Sequence, residues 1–191
     1  MRNVFYPNPW RHQPAPSLLP LQKKWLTRPG ALTQSLRALG FLKLRVLAEY
    51  PDGASAEEAS LMNCHPHSPV WVREIVMDID GLDCIVARSI TPLAASHGTW
   101  QGIRRLRSRP LADILYEDPT ISRSDFEVAR LSRRVSIYRT VIRMSEKRVF
   151  PSQLQARRSV FWRQGSPLLV TECFLPDFWI MLRTPAKVAK A

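Results

Sequence analysis

Residues 70–91, "VWVREIVMDIDGLDCIVARSIT", constrain the fold of this chain more than any other stretch. Two arms rich in apolar and β-branched residues flank Asp80-Gly81, a dipeptide suited to a two-residue turn whose central residues both take positive φ. The pattern predicts a long antiparallel hairpin. A second is written near the other end, where "RRSVFWRQGSPLLVTECFLP" carries its turn at Gln164-Gly165-Ser166. Leu32, Leu36 and Leu39 fall at i, i+4 and i+7 with Gly40 behind them, which predicts a short amphipathic helix and its stop. "FLKLRVLAE" alternates Leu42, Leu44 and Val46 with Lys43 and Arg45, as a half-buried strand does. Residues 51–68 read as loop, and "LRSRPLADILYED" as a short helix with Leu111, Ile114 and Leu115 on one face. "SDFEVAR" reads as a strand and residues 131–156 as a basic, loosely helical stretch. Strands in hairpins, interrupted by helices, predict an α+β fold: a single domain on an antiparallel sheet.

A chain of 191 residues, 45% of them hydrophobic, is enough for one domain with a real core. Five prolines in residues 1–20 (Pro7, Pro9, Pro14, Pro16, Pro20) exclude regular helix or interior strand there. The expected division is a proline-rich leader over 1–24, a folded domain over 25–182 and a frayed tail over 183–191. The prolines also break the apolar core that a signal peptide needs, and no apolar run reaches the ~18 residues of a membrane span. Cys64, Cys84 and Cys173 form no CxxC pair, so reduced thiols are expected, and with them a soluble cytoplasmic protein.

A net charge of +12 implies an anionic partner. Nucleic acid is a poor fit, because the arginines are scattered among apolar positions and no RNA- or DNA-binding signature appears. His65 and His67 flank Pro66 in a loop and lack partners for a metal site. There is no glycine-rich phosphate loop and no Ser-His-Asp order. Neither metal nor cofactor is expected.

Two charges stand out by their position. With a period of two, Trp71, Arg73, Ile75, Met77 and Ile79 share one side of a strand, and Arg73 is the only charge on it; Glu74 and Asp78 point the other way. Leu168, Val170, Glu172 and Phe174 share a side of the last strand, and Glu172 is its only charge. If both faces line one cavity, it holds a guanidinium fitted to a carboxylate and an acid fitted to proton transfer. Three plainer readings stay open. Arg73 and Glu172 pair with each other, their faces are solvated, or a two-residue turn at Gln164-Gly165 sets Arg157 opposite Glu172 as an ordinary ion pair.

At these residues the chain resembles the chorismate lyase (chorismate pyruvate-lyase) family, which supplies 4-hydroxybenzoate for ubiquinone synthesis. The likeness runs from about Trp25 to Pro176 through "WLTRPGALTQSL", "VWVREIVM", "VARSITP", "RPLADIL", "FEVARL", "ARRSVF" and "GSPLLVTECFLP". It implies a sheet of about six strands, with helices and flap loops over an internal pocket. It further implies that Arg73, in the W-x-R-E strand, holds the ligand's carboxylate and that Glu172, in the T-E-x-F-L-P strand, is the pocket acid. The backbone amide at the R-P-L turn corresponds to Leu111. The flap residue ahead of the T-x-x-L helix is Leu32, where shorter members have methionine. A glycine that makes a backbone contact is here Ala87.

The resemblance implies that chorismate loses its enolpyruvyl ether as pyruvate while the ring gives up a proton and becomes aromatic, with Arg73 and Glu172 as the catalytic pair. Arg157 or Arg158 is the expected holder of the second carboxylate. A monomer without a metal, cofactor or nucleic-acid partner is expected. The alternative is a non-catalytic small-acid-binding (effector-sensing) domain of the same fold. Such a domain follows a DNA-binding helix-turn-helix, for which residues 1–24 are too short and too rich in proline.

Overall fold

The structure, a computed structural model, describes residues 8–144 and 154–183. Among these residues seven strands form one antiparallel sheet: β1 (Leu42–Gly53), β2 (Pro69–Ile79), β3 (Leu82–Pro92), β4 (Ser122–Arg123), β5 (Glu127–Arg130), β6 (Gln155–Arg163) and β7 (Ser166–Phe174). Their order is β1-β2-β3-β7-β6-β4, and β5 also pairs with β6. Among the described residues six short α-helices cover it: α1 (Pro20–Leu26), α2 (Leu32–Arg37), α3 (Ala56–Leu61), α4 (Ala112–Leu115), α5 (Ile137–Met144) and α6 (Pro176–Arg183). The fold is α+β, as expected, with one strand more than the resemblance implies. Among the described residues no helix is long and apolar enough to cross a membrane.

Both hairpins close on two-residue turns with positive φ throughout: Asp80 and Gly81 at 51° and 84°, Gln164 and Gly165 at 48° and 72°. The second turn pairs Arg163 with Ser166, and the register then sets Arg157 opposite Glu172. Counting along the ladders, Glu49, Arg73, Ser89, Val170 and Ser159 form one cross-strand row. Ile75, Ala87, Glu172 and Arg157 form the row two residues along. Both rows therefore face the same side of the sheet.

That side is covered by α1, α2 and α6, whose Trp25, Leu26, Leu36, Phe178 and Trp179 pack on Leu44, Ile75, Met77 and Phe174. Farther along, Trp100, Ile103, Leu106, Leu111 and Leu115 pack on Phe161 and Leu168. The opposite side carries a buried polar row, Glu74, Arg88, Thr171 and Arg158. Glu74 accepts hydrogen bonds from Tyr50 (3.0 Å), Arg88 (2.9 Å) and Thr140 of α5 (2.6 Å), and pairs with Arg143. Arg88 also reaches Glu58 of α3 at 2.9 Å, and Arg158 reaches Glu127 at 2.8 Å and Glu57 at 3.3 Å. Burial works against the charge on Arg88, yet Glu58 and Tyr50 outweigh it and the net shift is upward. Burial prevails at Arg158, whose pKa falls despite Glu127 and Glu57.

Three local outcomes differ from the sequence expectations, at α1, α2 and α3, while the placement of the leader is one that the sequence leaves open. Helix α1 begins at Pro20, inside the proline-rich stretch, because proline at the first helical position has no amide to lose. From residue 8 the leader lies on the domain: Trp10 is buried and donates to Glu57, and Arg11 exchanges two backbone hydrogen bonds with Val128 (2.9 and 2.7 Å). The helix at Leu32 ends at Arg37, leaving Leu39 outside it, and Gly40 is required by close approach rather than as a helix stop. A Cβ there would sit 2.3 Å from Asp80 Oδ2. Residues 51–68 contain α3, whose start is a capping box: the Ser55 hydroxyl accepts from the Glu58 amide, and the Glu58 carboxylate from the Ser55 amide. The tail over 184–191 and residues 145–153 of the basic stretch lie outside the described residues.

Candidate active site

Between the first side of the sheet and its covering segments lies a small, mostly apolar cavity. Its floor is Leu44 of β1, Ile75 and Met77 of β2, Ala87 and Ser89 of β3, Val170 and Glu172 of β7, and Arg157, Ser159 and Phe161 of β6. Its roof is the α1–α2 junction, Gly30 to Thr33, together with Pro110 to Ala112, Leu115 and Tyr116. Arg123 and Phe126 complete the wall. Four of the five residues singled out in the sequence (Leu32, Ala87, Leu111 and Glu172) line this one space.

The fifth, Arg73, stands in the wall behind it. It faces the same side as Ile75 and Met77, and its side chain is 1% exposed. Its Nε donates to Glu49 at 3.1 Å, and one Nη donates to the carbonyls of Arg107 (2.7 Å) and Arg109 (3.3 Å). The guanidinium is thus fixed to the turn whose next two residues, Pro110 and Leu111, line the cavity. The other Nη is buried and has no hydrogen-bond partner among the described residues. Burial lowers the Arg73 pKa, and Glu49 opposes the shift. An orphaned buried donor costs about 1–3 kcal/mol.

Glu49 carried no signal in the sequence. The alternation of Leu42, Leu44 and Val46, continued, would set Ala48 across from Arg73. A bulge between Val46 and Ala48 shifts the register by one residue and brings Glu49 there instead.

Glu172 is not alone on its face. Arg157 Nε donates to its Oε2 at 2.6 Å, the pairing that a two-residue turn implies. Its other oxygen accepts no hydrogen bond from any described residue. Arg157 Nη1 donates to the carbonyls of Trp25 (3.2 Å) and Arg28 (3.0 Å), so the same side chain holds both the acid and the backbone of the roof. Arg73 and Glu172 do not pair. Arg158, one of two expected holders of a second carboxylate, points to the other side of the sheet, since neighbours in a strand alternate. Sequence reasoning missed Arg123, Tyr116 and Phe126, which come from short connecting segments without periodicity. Arg123 Nη1 donates to the Tyr116 hydroxyl at 3.1 Å, and the guanidinium groups of Arg123 and Arg157 lie 4.4 and 4.3 Å from the Phe126 ring centre.

Comparison with known proteins places the chain in a family. The family model for chorismate lyase matches residues 9–184. A probable chorismate pyruvate-lyase of Bordetella pertussis is 59% identical over 172 residues, covering 90% of each chain. Another, from Burkholderia pseudomallei, is 42% identical over 170 residues, covering 89% of this chain and 91% of the relative. Among solved structures, the effector domain of PhnF from Mycobacterium smegmatis superposes with a TM-score of 0.53 over 78% of this chain and 90% of its own, at 14% identity. At that identity the likeness concerns the fold alone. With a family match that spans the sheet, the roof and the cavity between them, the chain belongs to the chorismate lyase family.

Proposed function

We propose that this protein converts chorismate to 4-hydroxybenzoate and pyruvate, the entry step of ubiquinone synthesis, as a cytoplasmic monomer. The observation that carries the reading is the presence, on one face of the sheet, of an acid lining a mostly apolar cavity and of a buried guanidinium with one nitrogen unpartnered among the described residues. In this reading Arg73 grips the ring carboxylate with its unpartnered nitrogen, beside the Leu111 turn. Leu32 covers the ring, and Ala87 sits beneath it with only a methyl group added to the backbone.

The chemistry asks little covalent work of the protein. The ring carbon that bears the hydroxyl gives up a proton, the ether C–O pair leaves with the enolpyruvate oxygen, and the enol takes up a proton to become pyruvate. Aromatisation drives the reaction. The site's task is to hold the dianion in a reactive pose and to handle protons away from water. Glu172 is the proton-handling group, with Oε1 open to the ligand and Oε2 fixed by Arg157.

The test is incubation of the pure protein with chorismate, measuring 4-hydroxybenzoate and pyruvate in equal amounts. Arg73→Ala is expected to weaken binding and turnover together. Glu172→Gln is expected to spare binding and to cut turnover by about 10²–10⁴-fold, as loss of a general acid–base group does. A Gln variant that releases pyruvate at the wild-type rate removes Glu172 from that role.

A further inference from the structure

Chorismate carries two carboxylates and its aromatic product carries one, so a site that turns one into the other must seat a second anion that leaves with the pyruvate. We propose that Arg123, with Tyr116 and Phe126, forms that second anion subsite at the exposed side of the cavity. The inference rests on the activity proposed above.

Three charged side chains line the cavity: Arg123, Arg157 and Glu172. Arg157 and Glu172 neutralise each other at 2.6 Å, and Arg157 spends a further nitrogen on two roof carbonyls. Arg73 is not among the lining side chains, and its open nitrogen is the one assigned above to the ring carboxylate. Among the described residues Arg123 has no carboxylate partner, so it is the lining cation left for an anionic ligand.

Its setting prepares it for that task. The guanidinium lies 4.4 Å from the Phe126 ring centre, which fixes its plane while leaving its edge nitrogens for a carboxylate. It donates to the Tyr116 oxygen at 3.1 Å, so the tyrosine proton is turned away from Arg123 and is available to a second acceptor. Together they offer an anion one guanidinium edge and one hydroxyl proton. Arg73 is deeply buried, whereas Arg123 is half-buried and Tyr116 is exposed.

The sheet order assigns the two ends. Arg73 is on β2 and Arg123 on β4, with β3, β7 and β6 between them and Glu172 on the middle strand. Four strand spacings put their backbones about 19 Å apart. In strand order the acid lies between them. The buried end takes the carboxylate that stays on the ring. The exposed end takes the one that departs. The site therefore holds substrate at both ends and product at one.

The test compares Arg123→Gln and Arg123→Lys with wild type in two assays: pyruvate release from chorismate, and equilibrium binding of 4-hydroxybenzoate. For Arg123→Gln the expected result is a KM for chorismate raised about ten- to hundredfold, the range for a lost charged hydrogen bond. Its affinity for 4-hydroxybenzoate should stay within about twofold of wild type, which also shows that the variant is folded. Arg123→Lys, which keeps the charge and loses the fork, should recover part of the KM. An unchanged KM in a wild-type-active background overturns the subsite alone. Equal loss of chorismate and 4-hydroxybenzoate in both variants also overturns it, by making Arg123 structural. A wild-type protein that releases no pyruvate overturns the activity and the subsite with it.

Discussion

Two buried thiols show how strongly single residues feel their surroundings here. Cys84 and Cys173 sit fully inside the core with free sulfurs. Burial, with smaller contributions from Asp177, Asp83 and Asp78, pushes Cys84 up to about 11, and burial alone pushes Cys173 upward as well. The folded state thus holds these protons more tightly than the unfolded chain, in which a thiol titrates near about 8.5. The stability they carry is complete below that value and is lost as pH climbs toward 11. Urea melts between pH 8 and 11 should show the midpoint falling across this window, and Cys84→Val should soften the fall. A flat profile in the wild type would contradict the linkage. Cys64, only half-buried, should react with iodoacetamide in the native protein, while the other two wait for unfolding.

At the scale of elements, the edge of the sheet depends on one tight contact. Gly40 leads into β1 against the β2–β3 turn, where Asp80 Oδ1 accepts from the Phe41 amide at 3.0 Å. An added methyl would meet Asp80 Oδ2 at 2.3 Å and Ile79 Cγ2 at 2.8 Å. Gly40→Ala should therefore destabilise by about 1–3 kcal/mol, seen as a drop of several degrees in Tm by circular dichroism. The same residue shows why some elements were legible in the sequence and others were not. A glycine after an apolar helical spacing reads as a stop, yet the contact that demands it comes from a turn some forty residues away. Asp80-Gly81 and Gln164-Gly165 were legible because turn chemistry is local, and their register set Arg157 opposite Glu172 without further information. Helix α3 was also written locally, in Ser55 and Glu58, but its short length and the surrounding turn residues masked the capping box. The bulge that brings Glu49 to Arg73 leaves no such trace, because alternation simply resumes after it. Arg123 and Tyr116 reach the cavity through pairing with β6 and through α4, both of which only the folded topology reveals.

At the scale of the whole molecule, the two sides of the sheet divide the labour. One side encloses the cavity; the other ties α3, α5 and the leader to the strands through buried charge. Arg88 joins Glu58 and Glu74 there, so Arg88→Met should strand both carboxylates with fewer partners. The expected cost is about 3 kcal/mol, or a Tm lowered by roughly 6–12 °C for a chain of this size. A melt within a degree of wild type would show that the remaining donors on Glu74 suffice. Here the roof is latched by Arg157, which grips the backbone at Trp25 and Arg28 with one nitrogen and Glu172 with another. Lifting that roof pulls on the hand that steadies the acid. The roof backbone and the Glu172 carboxylate thus share one anchor, and loss of the Arg157 guanidinium would release both together.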